Sequence, residues 1–193
     1  MSNDPPAPPP PPKPPAADGL RDLEVIHWPD PRLKKVSEPV AVFSDGLRAL
    51  ARRMFELMRE HKGVGLAAPQ VGRNIRLFVM NATGEPGQDR VYVNPELIDL
   101  AGEDEAEEGC LSLPDVHINV VRAKAATMRA RDLEGNPVEE AATGFVTRVW
   151  QHEFDHLNGV MLTDRMGFVD KMAHRRKLKE LEDKYEERRR KKK

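Results

Sequence analysis

Two histidines four residues apart, His152 and His156, are the pair in this sequence best suited to hold a metal ion. On an α-helix that spacing stacks both imidazoles on one face, where two ring nitrogens can reach one ion. Glu153 lies about 100° round the helix from His152. It is badly placed as a third ligand on that face, yet it can reach a water beside the ion and act as a general base. This is the H-E-x-x-H arrangement of metal-dependent hydrolases. A charged helix bearing two surface histidines carries the same five letters, so the rest of the chain must supply a third ligand and a substrate cleft.

A catalytic metal usually takes three protein ligands and keeps one open position. The extended peptidase pattern H-E-x-x-H-x-x-G-x-x-H fails here: Gly159 fits, but Leu162 stands where the last histidine belongs. Peptidases that draw a glutamate from some 20 residues downstream find Glu180 and Glu182 at such distances, both in a highly charged amphipathic stretch. Cys110, the only cysteine, is the soft alternative. A thiolate is a strong first-row metal ligand, and Gly109 before it lets the backbone bend close to an ion. A lone cysteine also serves commonly as a small buried hydrophobe.

The elements that must position these groups are readable in outline. Residues 145–158 form the metal-binding helix, ended by Gly159, with Phe145, Val149, His152, Glu153 and His156 on one broad face. A second helix is capped by Ser44 or Asp45, buries Leu47, Leu50, Met54, Leu57 and Met58, and is ended by Gly63. Residues 63–72 hold too many small residues and a proline to be a regular helix or a central strand. Their smallness lets another backbone or a ligand approach, and Gln70 stands out there as one amide among apolar neighbours. Strands are expected over 23–27, 75–81, 90–94 and 123–132, with a short one after the turn at 134–137. Residues 32–36 suit a single helical turn. Residues 99–108, with six carboxylates in ten positions, read as a solvated loop or edge and not as a metal site. A charged helix is expected from Asp170 to near Arg190, with Met172, Leu178, Leu181 and Tyr185 as its partial apolar stripe.

The totals set limits. With 193 residues the chain suits one domain with a real core. Nine of the first 17 residues are Pro, so residues 1–18 read as a polyproline-type arm, residues 19–165 as the catalytic domain and residues 166–193 as a basic helix and tail. Residues 171–193 hold 12 Lys/Arg against 5 Asp/Glu, while the rest of the chain holds 19 against 27. An acidic body thus carries a cationic end, which reads either as a solubilising tail or as a contact for a polyanion, ribosomal RNA being the obvious one; no DNA partner is expected. One cysteine fits a reducing compartment. No membrane span or secretory signal is recognisable, so a cytoplasmic protein is expected. The fold class expected is α+β: small antiparallel β-sheets packed around the central metal-binding helix, with the C-terminal helix outside.

Three separate stretches together resemble the peptide deformylase family: Gly63-Val64-Gly65-Leu66-Ala67-Ala68-Pro69-Gln70, Glu108-Gly109-Cys110-Leu111-Ser112, and Gln151-His152-Glu153-Phe154-Asp155-His156-Leu157-Asn158-Gly159. They stand in the family's order and at similar spacing, and the resemblance spans about residues 20–165. It implies removal of the formyl group from the N-formylmethionine of nascent polypeptides, with formate as product. It implies a metal, natively Fe2+ with Zn2+ or Ni2+ able to substitute, held by Cys110, His152 and His156. It assigns Glu153 as general base and then acid, with Gln70 and the Leu111 backbone N–H on the oxyanion. The peptide is then expected beside Val64 and Gly65 and near Gly109, with Leu111 and Val149 as walls of the methionine pocket. His117 lies where some relatives carry Arg. The rival reading from the residues alone is a zinc endopeptidase of the H-E-x-x-H type.

Overall fold

The computed structural model describes residues 19–191. The Pro-rich arm assigned to residues 1–18 and the last two lysines lie outside the described residues. Helix α1 (Asp45–Glu60) begins where the sequence indicates: the Ser44 hydroxyl accepts from the Leu47 N–H at 3.3 Å, pairing one donor that a helix start leaves open. Its stripe of Leu47, Leu50, Met54, Leu57 and Met58 is buried. The end differs from expectation. The helix stops at Glu60, Lys62 takes the left-handed turn (φ 56°), and the Gly63 N–H returns to the Met58 carbonyl at 2.8 Å.

A five-stranded antiparallel sheet follows, built from β1 (Gly65–Ala67), β2 (Leu77–Met80), β3 (Arg90–Ala101), β6 (Ala125–Arg131) and β7 (Pro137–Thr143) in the order β1-β2-β3-β6-β7. Alternation along β2 sorts the two faces. Leu77 and Val79 pack with α1, while Phe78 and Met80 pack with Trp150 and Leu157 of α2 (Phe145–Leu157). The sheet is therefore covered by one helix on each side. Tyr92 is enclosed between Phe78 and Trp150, with ring centroids 4.9 and 5.9 Å away. The hairpin β4 (Asp104–Cys110) and β5 (Leu113–Arg122) forms a separate two-stranded sheet. Its apolar face, Leu113, Val116, Ile118 and Val120, packs against Leu181 of α4 (Arg175–Lys191).

The α+β class and the helix at the centre hold. Several element expectations do not. Residues 23–27 form no strand. They run extended without a ladder, donating from Ile26 N–H to the Gln70 carbonyl (2.8 Å) and from Trp28 N–H to the Ser112 carbonyl (2.9 Å). Strand β3 runs well past residue 94, because a bulge absorbs Pro95 and leaves Asn94 at φ 51°. The Asn94 amide then pairs with the Val40 backbone in both directions at 2.8 Å. Residues 99–108 are largely strand: they end β3 and form most of β4. The C-terminal helix is two helices, α3 (Phe168–Ala173) and α4, broken at His174, whose Nε2 meets the His117 carbonyl at 3.0 Å. Within the expected stripe Leu181 is buried, but Met172 is exposed.

Candidate metal centre

Helix α2 carries both histidines because one of its faces must reach the hairpin while the other packs on the sheet. Gln151 fixes its position. The side chain accepts from Ala123 N–H at 3.0 Å and donates to the Ala123 carbonyl at 2.8 Å. Across from the helix, β4 ends in Cys110. The donor atoms of Cys110, His152 and His156 all lie within 4.8 Å of one another, and Cys110 Sγ stands 3.3 Å from His156 Nε2. The two imidazoles meet edge to face, 5.0 Å between centroids. Among the described residues this is the one such His/Cys/Asp/Glu group, and neither Glu180 nor Glu182 belongs to it.

Glu153 is buried on the same helix, and its Oε2 has no hydrogen-bond partner among the described residues. A carboxyl oxygen enclosed without a partner is costly unless something outside the chain completes it. Soft sulfur, two imidazoles and an open carboxylate are together a donor set that fits a divalent metal and a water. Burial, only partly offset by the charges of His152 and Arg122, pushes the Glu153 carboxyl up to about 7. That range suits a group that must both take and return a proton near neutrality.

Gln70 reaches this centre from the turn after β1. Its Oε1 accepts from Ala67 N–H at 2.8 Å, which leaves Nε2 facing Cys110 Sγ at 3.6 Å and Ser112 Oγ at 3.2 Å. Among the described residues β1 pairs with β2 alone, and its first residue, Gly65, lines the cleft. The cleft has a volume of about 480 Å³ and is bounded by Val64 and Gly65 on one side and Gly109, Leu111 and Val149 on others. A side chain at Gly65 would collide with the carboxyl of Glu153, so one of the two would have to shift. Gly109 has a different neighbour from the one its sequence context suggests. A Cβ on it would meet the His117 ring at 2.9 Å across the hairpin. Of the sequence-indicated site residues, all but His156 line this cleft; His156 lies behind it, within 4.8 Å of Cys110 and His152, and Phe145, though half exposed, also lines it.

Reading residues 99–108 as solvated missed Glu108. Its Oε2 lies 2.9 Å from His152 Nδ1, which leaves Nε2 for a metal and fixes the tautomer. Arg122 grips the same carboxylate twice, at 2.6 and 2.8 Å, and Arg148 adds a bond at 2.7 Å. Burial opposes the charge on Glu108, but these hydrogen bonds and cations hold its carboxyl well below the usual range. Arg122 also bonds Asp155 at 2.9 Å, so the network joins the hairpin of Cys110 to the helix of the histidines. Burial disfavours charge on both rings. On His152 the partners Cys110 and Glu108 outweigh it and raise the pKa, whereas His156 is depressed by burial and by its charged neighbours His152 and Arg122. Period-two alternation could have found Glu108, since it shares a strand face with Cys110. A single arginine within the apolar run 145–150 could likewise have marked Arg148 as a buried partner.

Comparison with known proteins agrees with this geometry. A family model described as polypeptide deformylase matches residues 22–172. A peptide deformylase of Chromobacterium violaceum is 42% identical over 160 residues, covering 83% of this chain and 96% of the relative. One of Thermotoga petrophila is 43% identical over 153 residues, covering 79% and 92%. Among solved structures, a plant peptide deformylase superposes with a TM-score of 0.82 at 38% identity, covering 86% of this chain and 92% of that one. The enzyme of Legionella pneumophila gives 0.80 at 40%, covering 83% and 95%. None of these matches supports the endopeptidase reading. With the matched region spanning most of the described residues and all three motifs, the chain belongs to the polypeptide deformylase family.

Proposed function

We propose that the chain removes the N-formyl group from the N-formylmethionine of nascent polypeptides and releases formate, through the residues gathered in this cleft. The observation that carries the reading is the meeting of Cys110, His152 and His156 within 4.8 Å beside a buried Glu153 oxygen that has no partner among the described residues. Those three would hold the metal, natively Fe2+, with Zn2+ or Ni2+ able to substitute, since thiolate and imidazole suit all three. The bound cation supplies Lewis acidity, which makes water a competent nucleophile near neutral pH.

The chain's own groups do the rest. Glu153 takes the proton of the attacking water as the new C–O bond forms, and returns it to the amine nitrogen as the C–N bond breaks. The Gln70 Nε2 and the Leu111 backbone N–H donate to the carbonyl oxygen as charge develops on it. Gln70 is held for this by its bond to Ala67 N–H. The peptide lies along Val64 and Gly65, adding a strand to the open edge of β1, with Gly109 opposite. The methionine side chain enters between Leu111 and Val149. The setting is the cytoplasm, and the four cations Arg188, Arg189, Arg190 and Lys191 in the last turn of α4 favour contact with ribosomal RNA.

Mass spectrometry of a formyl-methionyl peptide tests the reading. The expected product is the full peptide without its formyl group, with an equal amount of formate. Internal cleavage, or an unchanged peptide with fully metal-loaded protein, would overturn it.

A further inference from the structure

The lining of the metal cleft also includes His27, His61 and Lys62. His27 also lines a second groove, about 510 Å³ in volume, between residues 24–32 and α4. Leu181, Trp28 and Tyr185 give this groove an apolar floor, and the exposed Lys184, Arg188 and Arg189 give it a cationic rim. Two carboxylates line it, Glu24 and Asp30, and Asp30 already bonds Arg32 at 2.7 Å. Lys184 and Arg189 have partners in Glu180 and Glu186. Arg188 has no hydrogen bond or ion pair among the described residues. His27 registers the resulting field: burial first, then the positive charges of Arg188, His61 and Lys184, push its pKa below the ordinary value.

We infer that this groove is a secondary subsite for the formylated polypeptide itself: the chain leaving the metal cleft passes His27 and lies between residues 24–32 and α4, where acidic side chains are favoured. The inference rests on the deformylase reading and concerns only the residues downstream of formylmethionine. Three features support it. The two cavities adjoin at His27, which lines both. The aromatic floor suits a peptide's apolar groups. The rim carries an excess of positive charge, which draws acidic chains in at low salt and loses its reach beyond about 10 Å at 0.1 M salt.

Steady-state kinetics with three peptides test it: formyl-Met-Ala-Ser, and two decapeptides that extend it with either glutamates or lysines. The glutamate decapeptide is expected to show a KM about three- to tenfold below the tripeptide's. The lysine decapeptide should show no such gain, and added salt should erase the difference. The double substitution Lys184→Glu and Arg188→Glu should remove the advantage and leave tripeptide kinetics unchanged. Equal KM values for all three peptides, with the tripeptide turned over, would overturn the subsite and leave the deformylase reading standing. No turnover of the tripeptide by metal-loaded protein would overturn both. RNA binding that weakens in the double variant while KM stays flat would assign the groove to another polyanion and also overturn the subsite.

Discussion

Glu108 shows how much of this centre is arranged by residues outside the Cys110, His152 and His156 group. Two buried guanidinium groups, Arg122 and Arg148, converge on its carboxylate, and its other bond goes to His152 Nδ1. Removing one partner from such a network costs more than the network contributes, because a buried charge is left facing nothing. Glu108→Gln is therefore expected to weaken metal binding by roughly 10- to 100-fold and to lower thermal stability. Metal competition with a chelator and a melting curve read the two effects separately, and unchanged metal affinity would remove Glu108 from its orienting role. The grouping of His152, Glu153 and His156 was legible in residue type and spacing, with Cys110 joining it through the family resemblance. Glu108 was not, because five neighbouring carboxylates hid the one that faces inward.

At the scale of elements, β1 and α2 must come unusually close. Gly65 makes this possible, since any side chain there would strike Glu153. Gly65→Ala is expected to displace Glu153 and cut kcat by about 10²-fold or more while circular dichroism stays that of the folded protein. Full activity in that variant would show that the two elements can part without penalty. The buried faces of α1 and α2 were legible, because a 3.6-residue period carries its own evidence, though not where α1 ends. Residues 23–27 misled, for their apolar alternation serves a clamp on Gln70 and Ser112 and not a ladder. The break at His174 was equally hidden: it follows from a contact with the His117 carbonyl 57 residues away in sequence, which no local pattern records.

Over the whole molecule, the sheet lies between α1 and α2, and the hairpin of Cys110 is backed by α4. The basic C-terminal stretch is thus partly a structural buttress, through Leu181, as well as a charged surface. The N-terminal segment is tied to the turn after α2 by the ion pair of Lys34 with Asp164. Burial opposes ionisation of Asp164, but Lys34 and the Met161 N–H, 2.7 Å away, together hold its carboxyl below the ordinary aspartate value. A depressed carboxyl contributes stability that is present above its unfolded pKa of about 4 and lost as pH falls through the folded value. Asp164→Asn should accordingly lower the urea midpoint at neutral pH, with the gap to wild type closing in acid. A gap independent of pH would show that Asp164 acts through packing alone.

The most direct measurement is formate release from a short formyl-methionyl peptide by wild type and Glu153→Gln side by side, prepared anaerobically with Fe2+ and assayed for bound metal. Wild type should release one formate per peptide. The variant should bind as much metal and release formate about 10²- to 10⁴-fold more slowly. Equal rates in the two proteins, or no formate from fully loaded wild type, would contradict the assignment of both the reaction and its base.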